Sequence, residues 1–197
     1  MRKTGNPTGA WQKTPGGERG TRKMRGLILV FTGDGKGKTT AAFGTALRMT
    51  GRGGRVGVVE FFKSGTRDSG LVSLDKAFRR GTRFKSWSFG GGFTWDTSRD
   101  VNQKAADKAW KKCQALLRDR KYALLIFDEI HIAFRHKFLK VSEVVKALKR
   151  RRPGQHVILT GRNAPQAVIR HADLVTEMKC VKHPFERGIL AQPGIDF

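Results

Sequence analysis

Acidic residues are scarce in this chain: 16 Asp and Glu stand against 40 Lys and Arg, a formal charge of +24 over 197 residues. Such a field concentrates anions, whether nucleotides, polyphosphates or nucleic acids, near the surface. The basic residues are spread along the whole chain, so no arm or single helix is set aside for nucleic acid, and a nucleic-acid partner is not the expectation. Cysteine is scarcer still. Cys113 and Cys180 lie in no C-x-x-C or other metal-ligand spacing, which argues for two reduced thiols and against a disulfide framework. No apolar run approaches the roughly 20 residues of a membrane helix, and no apolar core follows the basic N-terminus. The expected compartment is the cytoplasm, with no membrane partner. No internal repeat is visible, and the histidines show no H-E-x-x-H pairing that would hold a metal.

Residues 1–26 are nearly devoid of aliphatic side chains and rich in Gly, Pro, Thr, Lys and Arg, so they read as a basic, disordered tail. Residues 27–197 form the single domain. Within it, apolar strand patterns at 27–31, 56–61, 83–87, 123–127, 156–160 and 174–177 alternate with helical patterns at 39–50, 101–118, 141–150 and 165–170. Continuous apolar strands separated by helices imply an α/β fold: a mainly parallel central sheet covered on both faces, with ligands at the carboxyl ends of the strands.

The richest segment follows the first strand. Gly33-Asp34-Gly35-Lys36-Gly37-Lys38-Thr39-Thr40 leads into a helical pattern at Ala41. A strand, a glycine-rich loop and a helix start together cradle phosphates, giving a three-layer P-loop NTPase-like architecture. Lys38 supplies a mobile positive charge and the Thr39 hydroxyl a magnesium ligand. The full G-x-x-x-x-G-K-[ST] pattern asks for glycine at 32, where this chain has Thr32.

Three further elements carry chemistry. Leu124-Leu125-Ile126-Phe127 ends in Asp128-Glu129, a buried strand delivering carboxylates to a magnesium site; spacing does not decide which of the two touches the ion. Arg162, after the strand 156–160, and Arg48, on the first helix, are candidate phosphate contacts. Gly90-Gly91-Gly92-Phe93-Thr94-Trp95-Asp96 pairs flexible glycines with aromatics, the composition of a movable apolar lid. A competing reading takes Asp128-Glu129-Ile130-His131 as a DExH box in a nucleic-acid-stimulated ATPase, with Glu129 activating water. One nucleotide-binding lobe is too few for enzymes of that kind.

Taken together, GDGKGKTTAAFGTALR (33–48), VGVVEFFKSG (56–65), GFTWDT (92–97), FDEI (127–130), VILTGRNAP (157–165) and ADLVTEMKCVKHPFERGILAQPGIDF (172–197) resemble the P-loop corrinoid adenosyltransferases. The resemblance implies that the Co(I) of a corrinoid, cobalamin or cob(I)yrinic acid a,c-diamide, attacks the 5′ carbon of ATP and expels intact triphosphate. It implies ATP bound with polarity opposite to that in hydrolysing enzymes. By this resemblance Asp34, Gly35, Lys36, Gly37, Lys38, Thr39 and Thr40 wrap the triphosphate, and Thr39 and Glu129 hold Mg2+. Arg48 and Arg162 add phosphate contacts, while Phe93 and Trp95 displace the lower axial ligand of Co(II). It further implies a reduced flavoprotein as electron donor and a homodimer. Two positions depart from the family pattern: His131 stands where asparagine is frequent, and Glu60 replaces a common glutamine.

Overall fold

The computed structural model describes residues 25–63, 83–90, 97–192 and 194–195. Strands β1 (Ile28–Thr32), β2 (Val56–Phe61), β3 (Phe84–Phe89), β4 (Leu124–Asp128), β5 (His156–Thr160) and β6 (Leu174–Glu177) form one sheet in the order β3-β2-β4-β5-β1-β6. Every pairing is parallel. The helices are α1 (Lys38–Gly51), α2 (Arg99–Arg118), α3 (Ile130–Arg135), α4 (Val141–Lys149) and α5 (Gln166–Ile169), and a 3₁₀ turn follows at Pro184–Arg187.

The alternation of β4 shows why its run is apolar throughout. Leu124 and Ile126 face one cluster with Ala42, Phe43 and Ala46 of α1. Leu125 and Phe127 face a larger cluster with Ala109, Trp110 and Cys113 of α2 and with Val144 and Leu148 of α4. Each face of the sheet is therefore covered, and each buried Leu or Phe contributes about 2–3 kcal/mol. Trp110 meets Phe127 edge-on, with ring centroids 6.5 Å apart.

The strand and helix expectations hold with shifts of no more than two residues, except for one short helix. The helix α3 was not expected; its six residues are too short to display a helical period. All four residues of β6 are exposed, because this strand pairs on one side only and lies at the sheet edge. Two residues at the end of the expected tail, Arg25 and Gly26, contact the folded chain. The Arg25 guanidinium donates to Asp173 Oδ1 at 2.8 Å, and Gly26 O accepts from Arg151 Nη2 at 2.6 Å. No helix among the described residues is long and apolar enough to cross a membrane.

Candidate active site

The loop from β1 to α1 turns at Gly37, whose φ of 106° would strain any side chain, and α1 starts at Lys38. The first turn of α1 has no acidic residue and no side-chain cap, so its open N–H groups and the helix dipole are offered to an anion. Lys38 is buried, and its ammonium donates to Gly33 O at 2.7 Å and Gly35 O at 2.6 Å. Burial lowers its pKa; Glu129, Asp34 and Asp128 oppose that shift, while Arg162 adds to it.

The helix that begins at Lys38 also points Thr39 at the end of β4. Thr39 Oγ1 donates to Asp128 Oδ1 at 2.9 Å, and Thr160 Oγ1, from the end of β5, donates to the same oxygen at 2.6 Å. Lys63 Nζ takes the other oxygen, Oδ2, at 2.6 Å. Asp128, wholly buried, is thus saturated by two hydroxyls and an ammonium. Glu129 differs. Its carboxylate takes no hydrogen bond from another described residue, while its N–H donates to Thr160 Oγ1 at 2.9 Å and its φ is 58°, left-handed for a side-chain-bearing residue. Burial, then the Asp128 charge, raise its pKa, while Lys63, Lys38 and Arg162 oppose the shift. The Thr39 hydroxyl and the Glu129 carboxylate are hard oxygen donors of the kind that Mg2+ takes, and Asp128 holds the first of them by its hydrogen bond.

Of the expected residues, the fold brings Gly35, Gly37, Lys38, Thr39 and Glu129 together. Asp34 and Lys36 lie exposed on the loop, and Thr40 is exposed in the first turn of α1. Arg162 is exposed on the loop after β5, where both Lys38 and Glu129 feel its charge. Arg48 is exposed in the last turn of α1. That places it about 15 Å along the helix axis from the loop, and the fold does not bring it into the cluster. Phe93 and Trp95 lie outside the described residues.

Two loop features depart from what the glycine pattern suggests. Gly35 does not keep its N–H for a phosphate: it donates to Met178 O at 2.8 Å, and a Cβ there would come within 2.6 Å of Lys179 O. Part of the loop's glycine content therefore serves close packing against the chain after β6. Thr32, where the motif asks for glycine, accepts from the Ala164 N–H at 3.0 Å and ties the first loop to the loop carrying Arg162.

His131 is fully buried and its Nδ1 lies 2.8 Å from Gly161 O, an arrangement that makes Nδ1 the protonated donor. Burial lowers its pKa to about 4, so the ring is neutral. It links the chain just after β4 to the chain just after β5. Sequence reading overlooked Lys63 and Thr160. Both lie in quoted motifs, and a lysine two residues past a strand or a threonine at its last position is legible only once strand order is known.

The chain resembles known proteins over most of its length. Residues 24–197 match the family model described as ATP:corrinoid adenosyltransferase BtuR/CobO/CobP. A corrinoid adenosyltransferase of Sinorhizobium sp is 45% identical over 177 residues, covering 88% of this chain and 81% of that protein. Its counterpart in Pseudomonas aeruginosa is 41% identical, covering 89% and 86%. That of Escherichia coli K12 is 42% identical, covering 88% and 86%. Among solved structures, the flagellar accessory protein FlaH of Methanocaldococcus jannaschii superposes with a TM-score of 0.54 at 11% identity, covering 78% of this chain and 71% of that one, a likeness of P-loop fold alone.

Proposed function

Since the chain belongs to the ATP:corrinoid adenosyltransferase family and is a corrinoid adenosyltransferase, we propose that its β1–α1 loop holds the triphosphate of ATP as an intact leaving group. In this reading the cobalt–carbon bond forms at C5′ as the C5′–oxygen bond breaks, and the electron pair leaves on the triphosphate. The protein's task is to stabilise that departing charge. Lys38 neutralises phosphate after releasing Gly33 O and Gly35 O, the open N-terminus of α1 receives phosphate oxygens, and Arg162 closes from the β5 side. Thr39 and Glu129 would hold Mg2+, which when bound supplies further compensation of phosphate charge. Thr39 gives its proton to Asp128, so its lone pairs face outward. Phe93 and Trp95 displace the lower axial ligand of the corrinoid; Phe93→Ala and Trp95→Ala are expected to slow reaction from Co(II) far more than from chemically supplied Co(I). A reduced flavoprotein supplies the electron, and the enzyme works as a homodimer in the cytoplasm.

The observation that carries this reading is the convergence of Lys38, Thr39 and the Glu129 carboxylate beyond the ends of β1 and β4. The test is product analysis after mixing reduced corrinoid with Mg·ATP. One intact triphosphate per adenosylated corrinoid is expected. Release of ADP and orthophosphate, stimulated by RNA or DNA, would instead establish the nucleic-acid-dependent ATPase.

A further inference from the structure

Behind Asp128 the buried charges of the site extend to a glutamate and a serine that the proposed adenosyl transfer does not use. Strand β2 delivers Glu60, which is 2% exposed, and two residues later the chain bends at Phe62, a non-glycine residue with φ 59°. Packing sustains that bend. The Phe62 N–H donates to Phe89 O at 2.7 Å, its ring lies 5.7 Å from that of Phe138, and a Cβ on Gly90 would come within 2.7 Å of the Phe62 backbone. The bend returns Lys63 over the sheet end, where its ammonium meets Asp128 Oδ2 at 2.6 Å and Glu60 Oε1 at 3.2 Å. Ser88 of β3 donates to Glu60 Oε2 at 2.7 Å. Contacts thus run without a break from β3 through Ser88, Glu60, Lys63 and Asp128 to Thr39.

We infer that Lys63 is a positioning residue for metal-assisted nucleotide binding: it fixes the Asp128 carboxylate, and through it aims the Thr39 hydroxyl at the magnesium. This rests on the reading that Thr39 and Glu129 hold that ion. A carboxylate with Thr39 and Thr160 on Oδ1 and Lys63 on Oδ2 cannot rotate. Without the ammonium, Oδ2 is a buried charge with no partner, and the carboxylate turns to find one, releasing Thr39. Lys63 need never touch the nucleotide to matter.

Calorimetric titration with ATP, in EDTA and in excess Mg2+ with no corrinoid present, separates the possibilities. Wild type is expected to bind ATP more tightly with Mg2+. Lys63→Met is expected to lose at least tenfold of that Mg2+-dependent gain, with affinity in EDTA changed less than twofold. Lys63→Gln, which keeps a donor without its charge, is expected to lose about threefold and decides the matter if Lys63→Met does not fold. A full Mg2+-dependent gain in the variants, or equal losses in EDTA and Mg2+, would overturn the inference while leaving Thr39 and Glu129 in their roles. No Mg2+-dependent gain in wild type would instead overturn those roles, and this inference with them.

Discussion

The two ends of the sheet are both rich in polar side chains, yet they are built differently. At the amino end, apart from the Arg25–Asp173 pair, the polar side chains named close mostly on backbone carbonyls. Arg151 donates to Gln155 O, Leu148 O and Gly26 O, Arg152 to Tyr122 O, and Gln155 to Leu116 O and Tyr122 O. At the carboxyl end, side chains bind one another: Thr39, Thr160 and Lys63 on Asp128, and Ser88 and Lys63 on Glu60. Left-handed side-chain-bearing residues gather there too, Phe62 after β2, Glu129 after β4 and Asn163 after β5. Backbone-directed polar groups finish a fold, whereas opposed buried charges and strained backbone mark the end where work is done.

Substitutions at the two ends should therefore separate activity from stability. The largest effect is expected at the carboxyl end: Lys38→Ala loses about 10²- to 10³-fold in kcat/KM, measured with chemically reduced corrinoid, with little change in Tm. Next comes a pH effect from His131, also at that end. Its folded pKa of about 4 lies below the ordinary 6.5, so the unfolded chain takes up the proton first. Its contribution is complete above 6.5 and fades as pH falls toward 4, a loss of about 3 kcal/mol read by urea unfolding at pH 7 and pH 4. His131→Asn, which keeps a donor for Gly161 O, should flatten that dependence. At the amino end, Arg151→Ala should cost about 2 kcal/mol of stability for its lost carbonyl contacts while turnover per folded molecule stays at the wild-type level. Smallest is Thr32→Val, about 1 kcal/mol, seen as a lowered urea midpoint as the Ala164 N–H loses its acceptor.

Much of the carboxyl end was legible in the sequence, and the reasons are physical. The strands show because burial on both faces leaves no polar position in runs such as Leu124–Asp128 before the final carboxylate. Lys38 and Thr39 stood out because they follow a glycine-rich loop at a helix start, and Asp128-Glu129 because they end an apolar strand; the choice of Glu129 over Asp128 came from the family resemblance. What stayed hidden depends on strand order. Lys63 and Asp128 are 65 positions apart and meet because β2 and β4 are neighbours. Arg48 shows the converse: helical spacing put it on the right element, but ten residues of α1 carry it away from the loop. Gly35, quoted for the phosphate loop, is also packed on the chain after β6, a contact invisible in its motif.

The central claim, that anion capture belongs to the carboxyl end of this sheet alone, is tested most directly by calorimetric titration of inorganic triphosphate with Mg2+. Wild type and Arg151→Ala are predicted to bind alike, and Lys38→Ala and Glu129→Gln to bind at least tenfold more weakly. Undiminished binding by Lys38→Ala, or an equal loss in Arg151→Ala, would contradict the account.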